Sequence, residues 1–304
     1  MMLLDCICNR EVLICDGAMG TQLIARGLAA GECPEMWCLE RPSDVREIAA
    51  GYVEAGSNLI ETNSFGGNAL KLKSYGFEGR VGELNHAAAA IARAAIGDKG
   101  YVAGSVGPTG IFAEGEGGKM KPAGFYEVFR EQIVALAGGG ADAICIETMW
   151  SALEAAQAIR AAKENTSLPV ICTFTFNKGP RGFRTAVGLT PEKASEAALE
   201  AGADIIGANC GNGIDQMIEI ARQIREAFPA APLMIQANAG LPKVIDGHTV
   251  YQESPTYIAS RVNQLAEAGA NIIGGCCGTT PEHIRAIAAA LRGESPAASR
   301  DPER

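Results

Sequence analysis

The sequence predicts an α/β protein, a single (βα)8 barrel of the TIM type. Eight apolar strand-like runs alternate with amphipathic helical stretches, and one short phrase recurs at four helix-to-strand junctions. The strand runs are residues 12–15, 59–62, 101–106, 144–148, 170–174, 205–209, 233–237 and 272–275. They are largely continuous in their apolar character, as parallel strands buried on both faces must be. Between and after them, residues 44–55, 81–96, 125–137, 151–163, 191–201, 214–228, 255–268 and 281–291 repeat apolar side chains at three- and four-residue spacing, the pattern of helices laid on a sheet. The recurring phrase reads Ala55-Gly56-Ser57-Asn58, Gly140-Ala141-Asp142, Ala201-Gly202-Ala203-Asp204 and Ala268-Gly269-Ala270-Asn271. In each copy a glycine ends a helix and a polar residue opens the next strand. An open dinucleotide-binding sheet is disfavoured by the strand count and by the lack of Gly-x-Gly-x-x-Gly after the first run.

At 304 residues the chain exceeds the common domain size, but barrels of this class run to about 250 residues as one unit. Residues 1–292 are therefore read as one barrel, and residues 293–304 as a disordered tail. Hydrophobic residues make up 47% and charged residues 20%, enough for a large core. A net charge of −9 lacks the basic footprint that nucleic acid requires. The start, Met1-Met2-Leu3-Leu4-Asp5-Cys6, carries no basic leader, and no apolar window reaches membrane-spanning length, so no membrane association and a cytoplasmic location are expected. In that setting the ten cysteines are read as reduced thiols, some buried and some metal-bound, rather than as a disulfide framework. Self-association into a homo-oligomer is compatible with the sequence.

Active sites of such barrels form just past the C-terminal ends of the strands. Those positions hold Asp16-Gly17, Glu61-Thr62-Asn63, Ser105, Glu147-Thr148, Asn209-Cys210, Asn238 and Cys276-Cys277. Three cysteines thus converge on one mouth, the ends of the sixth and eighth strands lying roughly 10 Å apart. Three thiolates suit Zn²⁺ and leave one tetrahedral position for a substrate thiol. Neighbouring cysteines point to opposite sides of a regular strand, so both reaching one ion requires the backbone to turn, a freedom expected of Gly274, Gly275 and Gly278. The competing readings of Cys276-Cys277 are a buried pair or a vicinal disulfide. Asp16 and Glu147 suit an ammonium, the amides around Gly17 and Ser105 suit a carboxylate, and Asn63 and Asn209 complete the polar set assigned to substrate binding. The plainer readings make Asp16 a turn residue and Glu147 a helix-start charge.

The segments Asp16-Gly17-Ala18-Met19-Gly20-Thr21, Glu61-Thr62-Asn63-Ser64-Phe65, Gly104-Ser105-Val106-Gly107-Pro108-Thr109-Gly110, Glu147-Thr148-Met149, Gly207-Ala208-Asn209-Cys210 and Gly274-Gly275-Cys276-Cys277-Gly278 resemble, in order, the homocysteine S-methyltransferase family. The resemblance implies a barrel that binds homocysteine and Zn²⁺, with Cys210, Cys276 and Cys277 as the metal ligands, and methionine as the product. Members that use betaine cage its quaternary ammonium with aromatic residues. Here Gly66 follows Phe65 and Thr148 follows Glu147, where tyrosines would be expected, and Trp37 alone makes a poor cage. The run Thr62–Leu72 is similar to the homocysteine-binding domain of cobalamin-dependent methionine synthase, which implies methylcobalamin or a related methylcorrinoid as donor. The Asp-x-His-x-x-Gly pattern of corrinoid carriers is absent, Asp246-Gly247-His248 lacking the later glycine, so a separate corrinoid protein is the expected partner. Two alternatives remain at this stage: a corrinoid-system methyltransferase acting on another methylated substrate or thiol, and a non-catalytic zinc or redox module.

Other candidates are weaker. Cys6/Cys8 and Cys33/Cys38 lack a second pair to complete a metal site, and Cys145 and Cys172 lie within strands as core residues. His86, His248 and His283 are expected at the surface. The glycine-rich loop 114–119 reads as a solvated loop, with a lid or docking surface as the alternative. Gly274-Gly275 could instead cradle a phosphate, a reading the adjacent thiols make unattractive.

Overall fold

Runs dominated by Val, Ile, Ala and Cys need cover on both faces, and in the computed structural model they form one ring of parallel strands inside a ring of helices. The structure describes residues 3–8, 12–245 and 248–294. The predicted tail falls almost wholly on residues 295–304, outside the described residues, as do Asp246 and Gly247. The barrel strands are β1 (Leu13–Ile14), β2 (Leu59–Glu61), β3 (Tyr101–Val106), β4 (Ala143–Met149), β5 (Val170–Phe174), β6 (Ile205–Asn209), β7 (Leu233–Ala237) and β8 (Ile272–Gly275). The helices around them are α1 (Pro42–Ala55), α2 (Val81–Ile96), α3 (Pro122–Gly138), α4 (Ala152–Asn165), α5 (Pro191–Glu200), α6 (Ile214–Ala227), α7 (Pro255–Glu267) and α8 (Pro281–Leu291). Each strand pairs with its sequence neighbour, β8 returns to β1, and a single parallel bridge between Cys15 and Leu59 joins β1 to β2.

The repeated phrase does more than end a helix. Gly56, Gly140, Gly202 and Gly269 all take the left-handed conformation at the helix ends, with φ of 114°, 103°, 101° and 91°. The polar residue that follows then clamps the preceding strand. Asn58 Oδ1 accepts the Ile14 amide at 2.8 Å, Asp142 Oδ2 the Val102 amide at 2.8 Å, Asp204 Oδ2 the Val170 amide at 2.7 Å and Asn271 Oδ1 the Leu233 amide at 2.9 Å. Each backbone amide of the same four residues donates back to Ile14, Val102, Val170 or Leu233. Four strand pairs are therefore stapled at the end of the barrel remote from the mouth, where a polar turn would otherwise leave backbone groups unpaired.

Alternation along the strands sorts the barrel interior by polarity. Its lower part is apolar, with Leu13, Leu59, Ala103, Ala143, Ile171, Ile205, Met234 and Ile272 in one buried cluster. An N-terminal helix, Leu3–Cys8, plugs that end by adding Leu3, Cys6 and Ile7 to the cluster, an element the sequence reading did not anticipate. Two positions further along the strands stand Cys15, Glu61, Ser105, Cys145, Thr173 and Gln236, and beyond them Glu147 and Asn209. Short hairpins, Asn177–Gly179 with Gly182–Arg184 and Lys243–Ile245 with His248–Val250, follow β5 and β7. Among the described residues no helix is long and apolar enough to cross a membrane.

Candidate metal and substrate site

The mouth holds a cavity of about 400 Å³ lined by Asp16, Gly17, Glu61, Asn63, Ser105, Glu147, Cys210, Cys276 and Cys277, among others. Of the residues assigned to the site from sequence, eight line this cavity, and Asn209 lies directly behind it.

The three sulfurs lie within 4.8 Å of one another, with Cys210 Sγ 3.8 Å from Cys277 Sγ. Zn–S bonds of about 2.3 Å in a tetrahedron place sulfurs roughly 3.8 Å apart, so the spacing fits a common zinc ion. All three cysteines are free and half-buried beside the cavity. Cys210 adopts φ 60°, a left-handed conformation rare for cysteine, and thereby turns its sulfur off the strand line toward Cys276 and Cys277. The expectation for the glycines needs correction. Of Gly274, Gly275 and Gly278, only Gly278 has positive φ, at 81°. A Cβ on Gly274 would meet Cys15 Cβ at 2.7 Å, and one on Gly275 would meet Thr279 Oγ1 at 2.3 Å, so these two serve close packing rather than the turn. Hydrogen bonds from Cys210 and Cys276 hold the Cys277 thiol well below its ordinary range, while contacts with Cys210 and Cys277 raise Cys276. The cluster thus favours at least one thiolate before any ligand arrives.

Beside the sulfurs stands a carboxylate held by three strands. Glu147, at the end of β4, receives the Ser105 hydroxyl on Oε1 and the Asn209 side-chain amide on Oε2 at 3.0 Å. Asn209 Oδ1 in turn accepts the Thr148 amide at 2.7 Å and the Thr173 hydroxyl at 2.8 Å. Glu147 does not cap α4; Ser151 does, accepting the Glu154 amide. Asp16 is equally buried, its Oδ2 taking the Glu61 amide at 2.9 Å. Burial pushes Asp16 up to about 7, and burial together with the charge of Asp16 pushes Glu61 to about 7. Burial, followed by the charge of Glu61, raises Glu147 well above the usual carboxylate range. Such a cluster of carboxylates in a closed space attracts a cation.

Two sequence-derived assignments look different in place. The Ser105 amide donates to Thr62 Oγ1 at 2.9 Å, so it is not available for a substrate carboxylate, and the Ser105 side chain serves Glu147 instead. Asn63 reaches the cavity wall, but its amide donates to the Pro34 carbonyl at 2.8 Å and to Cys38 Sγ, tying the β2 loop to the segment before α1. Gly17 is required by close approach, since a Cβ there would lie 2.6 Å from Thr279 Oγ1. Trp37 is buried under the Arg41 guanidinium, 3.7 Å from its ring centre, and faces a separate surface depression. Phe65 is the one aromatic residue lining the mouth among the described residues. His283 is also a correction: it is buried, completes the cap of α8 with Thr280, and bonds the Glu253 carbonyl at 2.9 Å. Cys145 and Cys172 are core, as expected. Sequence reading left two contributors out of the site. Glu61 stood in the strand-end set without a role, and Tyr251, whose ring packs on Gly278 and whose hydroxyl favours the Cys277 thiolate, carried no local signal.

A parallel barrel with a three-cysteine cluster and buried carboxylates at its C-terminal mouth defines a class: thiol-handling transferases built on a (βα)8 scaffold. The profile of the homocysteine S-methyltransferase family matches residues 13–291, and the chain belongs to that family. Among curated relatives, methionine synthase of Mycobacterium tuberculosis is 33% identical over 95% of the chain, and methionine synthase of Mycobacterium leprae is 32% identical over the same share. The chain spans about a quarter of the length of either relative, 25% in each case. Among solved structures, the metallated form of the homocysteine methyltransferase MmuM from Escherichia coli superposes with a TM-score of 0.76 at 23% identity, covering 94% of this chain and 98% of that one. That likeness establishes the fold.

Proposed function

We propose that this barrel methylates the thiol of homocysteine to give methionine, using a zinc ion held by Cys210, Cys276 and Cys277 and a methyl group presented by a methylcorrinoid on a protein outside this barrel. The observation that carries the reading is the cysteine cluster with zinc-compatible spacing, set beside the carboxylates that line the same cavity. A bound zinc would supply the positive charge that ionises a substrate thiol near neutral pH. The chain's own residues do the rest. Asp16 and Glu147 are assigned to the α-ammonium and the Gly17 amide, on the wall of the same cavity, to the α-carboxylate, while Ser105 and Asn209 hold Glu147 in place. The substrate sulfur gives up its proton, takes the methyl group in line, and leaves the donor with the electron pair of the broken bond.

Among the described residues Phe65 is the aromatic side chain on the cavity wall, Tyr251 is committed to the Cys277 thiol and Trp37 lies elsewhere, an arrangement that argues against a cage for a quaternary ammonium donor. Phe65, Ile111 and Phe112 instead expose apolar surface on the loops after β2 and β3, which suits a donor delivered by a protein surface. Zinc-loaded protein incubated with homocysteine is expected to form methionine from methylcobalamin, faster when a corrinoid protein presents it, and little from betaine. Robust turnover with betaine and none with any methylcorrinoid would overturn the donor while leaving the thiol chemistry in place.

A further inference from the structure

Two loops carry the three sulfurs, and one segment touches both. After β6 the chain runs Cys210-Gly211-Asn212-Gly213 into α6, and after β8 it runs Cys276-Cys277-Gly278 toward α8. The end of β7 bonds to each loop. The Asn238 amide donates to the Asn212 carbonyl at 3.0 Å on one side, and the Ala239 amide donates to the Cys277 carbonyl at 3.0 Å on the other. Residues 251–253, which follow the second hairpin, add a further tie to each loop. A Cβ on Gly278 would meet Tyr251 Cγ at 2.2 Å, so that ring is seated on the loop of Cys277. The Glu253 amide donates to the Ala239 carbonyl at 2.9 Å, and the Glu253 carbonyl accepts from His283 Nε2 on α8 at 2.9 Å. Its carboxylate reaches the other loop, where Oε2 accepts the Ile214 amide at 3.1 Å at the start of α6.

We propose that Glu253 is a positioning residue for the cysteine cluster, a strut that fixes the Cys210 loop against the Cys276-Cys277 loop at the sulfur spacing a single zinc ion requires. The inference rests on the metal reading above and deepens it. Gly213 shows how closely the side chain is held. It sits at φ −78°, a conformation open to any residue, so glycine is not needed there for the backbone. Room is what it supplies, since a Cβ would lie 2.1 Å from Glu253 Oε1. Gly240, just past β7, flanks the same side chain, and a Cβ there would lie 3.0 Å from Glu253 Cγ. The Glu253 side chain is therefore wedged between two segments that leave no space for side chains of their own. It also closes the start of α6, which Gly213 has no side chain to cap. Tetrahedral zinc tolerates little error in ligand placement, so a loop that carries one of three sulfurs must be held firmly. A plain helix cap is the rival role. A cap would stabilise α6 and leave metal binding alone, whereas a strut governs both.

The test is titration of zinc against a competing chromophoric chelator, together with the visible absorption of the cobalt-loaded protein, for wild type, Glu253→Ala, Glu253→Gln and Thr190→Ala. Thr190 caps α5 by accepting the Lys193 amide and serves as the control for a lost cap. Glu253→Ala is expected to bind zinc about tenfold more weakly and to shift the cobalt bands, which report the geometry of the sulfur set. Glu253→Gln keeps an acceptor oxygen and nearly the same volume, so it should recover most of the affinity and the wild-type bands, and Thr190→Ala should match wild type in both. Gly213→Ala should also weaken zinc binding by displacing the carboxylate, and adding it to Glu253→Ala should cause no further loss. Wild-type affinity and bands in Glu253→Ala would overturn the proposal, as would equal losses in Glu253→Ala and Thr190→Ala. If Glu253→Ala fails to fold, Gly213→Ala decides on the same two readouts, a loss supporting the strut and unchanged affinity and bands refuting it. Wild type that takes up no zinc would refute the metal reading itself, a result separate from zinc-loaded wild type with an unaffected Glu253→Ala, which refutes only the strut.

Discussion

The side-chain amide of Asn209 donates to Glu147 Oε2 at 3.0 Å, one residue before Cys210 turns its sulfur into the cysteine cluster. The end of β6 therefore serves both halves of the cavity, orienting the carboxylate through residue 209 and supplying a sulfur through residue 210. Thr148, at φ 59°, sits in the same knot, its amide bonded to Asn209 Oδ1. Among the described residues, strain in the two non-glycine residues with positive φ is thus gathered where strands β4 and β6 meet the cavity.

Because the amide of Asn209 is a donor to Glu147, Asn209→Ala is expected to weaken homocysteine binding about tenfold, as Glu147→Gln should, with zinc still bound. Titration of the variant followed by metal analysis checks this. An unaltered homocysteine affinity would remove Asn209 from any role in holding Glu147.

The cysteine cluster makes a stoichiometric claim. Wild type should carry about one zinc per chain, and Cys210→Ala, Cys276→Ala and Cys277→Ala should each lose most of it, since each removes one of only three protein ligands. Metal analysis after dialysis against a weak chelator measures this directly, and full zinc retention in all three variants would sink the assignment.

Asp16 and Glu61 set a pH dependence in the metal-free, substrate-free protein. Their folded-state values near 7 lie above the ordinary 3.8 and 4.5, so between about pH 4 and pH 7 the folded chain keeps protons the unfolded chain has released. Stability attributable to these groups therefore falls as pH rises through that window, by up to about 1.4 kcal/mol per pH unit for each proton held. Urea unfolding across the window should show this slope in wild type and a flatter one in Asp16→Asn; identical slopes would mean that Asp16 titrates normally.

The strand ends of β3 and β5 through β8 match the sequence reading residue for residue, and the cysteine cluster follows once those ends are placed. Buried parallel strands and amphipathic helices leave local periodic signals, and the strand termini of a closed barrel necessarily meet at one mouth. The Leu3–Cys8 helix escaped notice because six residues between a start and a strand carry too few turns to show a period. His283 was misplaced because capping depends on what lies against the helix start, here the Glu253 carbonyl.

By itself the sequence determined the order of the eight units, the repeated polar residues Asn58, Asp142, Asp204 and Asn271 at their junctions, and the expectation that Cys210, Cys276 and Cys277 meet at one end. Each of these is written in short-range pattern: apolar period, glycine at a helix end, a side chain one step past a strand. Only the tertiary structure decided which polar atoms are engaged and which are free. Glu61 and Gln236 are 175 positions apart, and their contact exists only because ring closure brings β2 and β7 to face each other across the interior. The same closure commits the Ser105 amide to Thr62 and sets the Glu61 amide on Asp16 Oδ2. Hydrogen-bond satisfaction is a property of the packed interior, and no local window of residues encodes it.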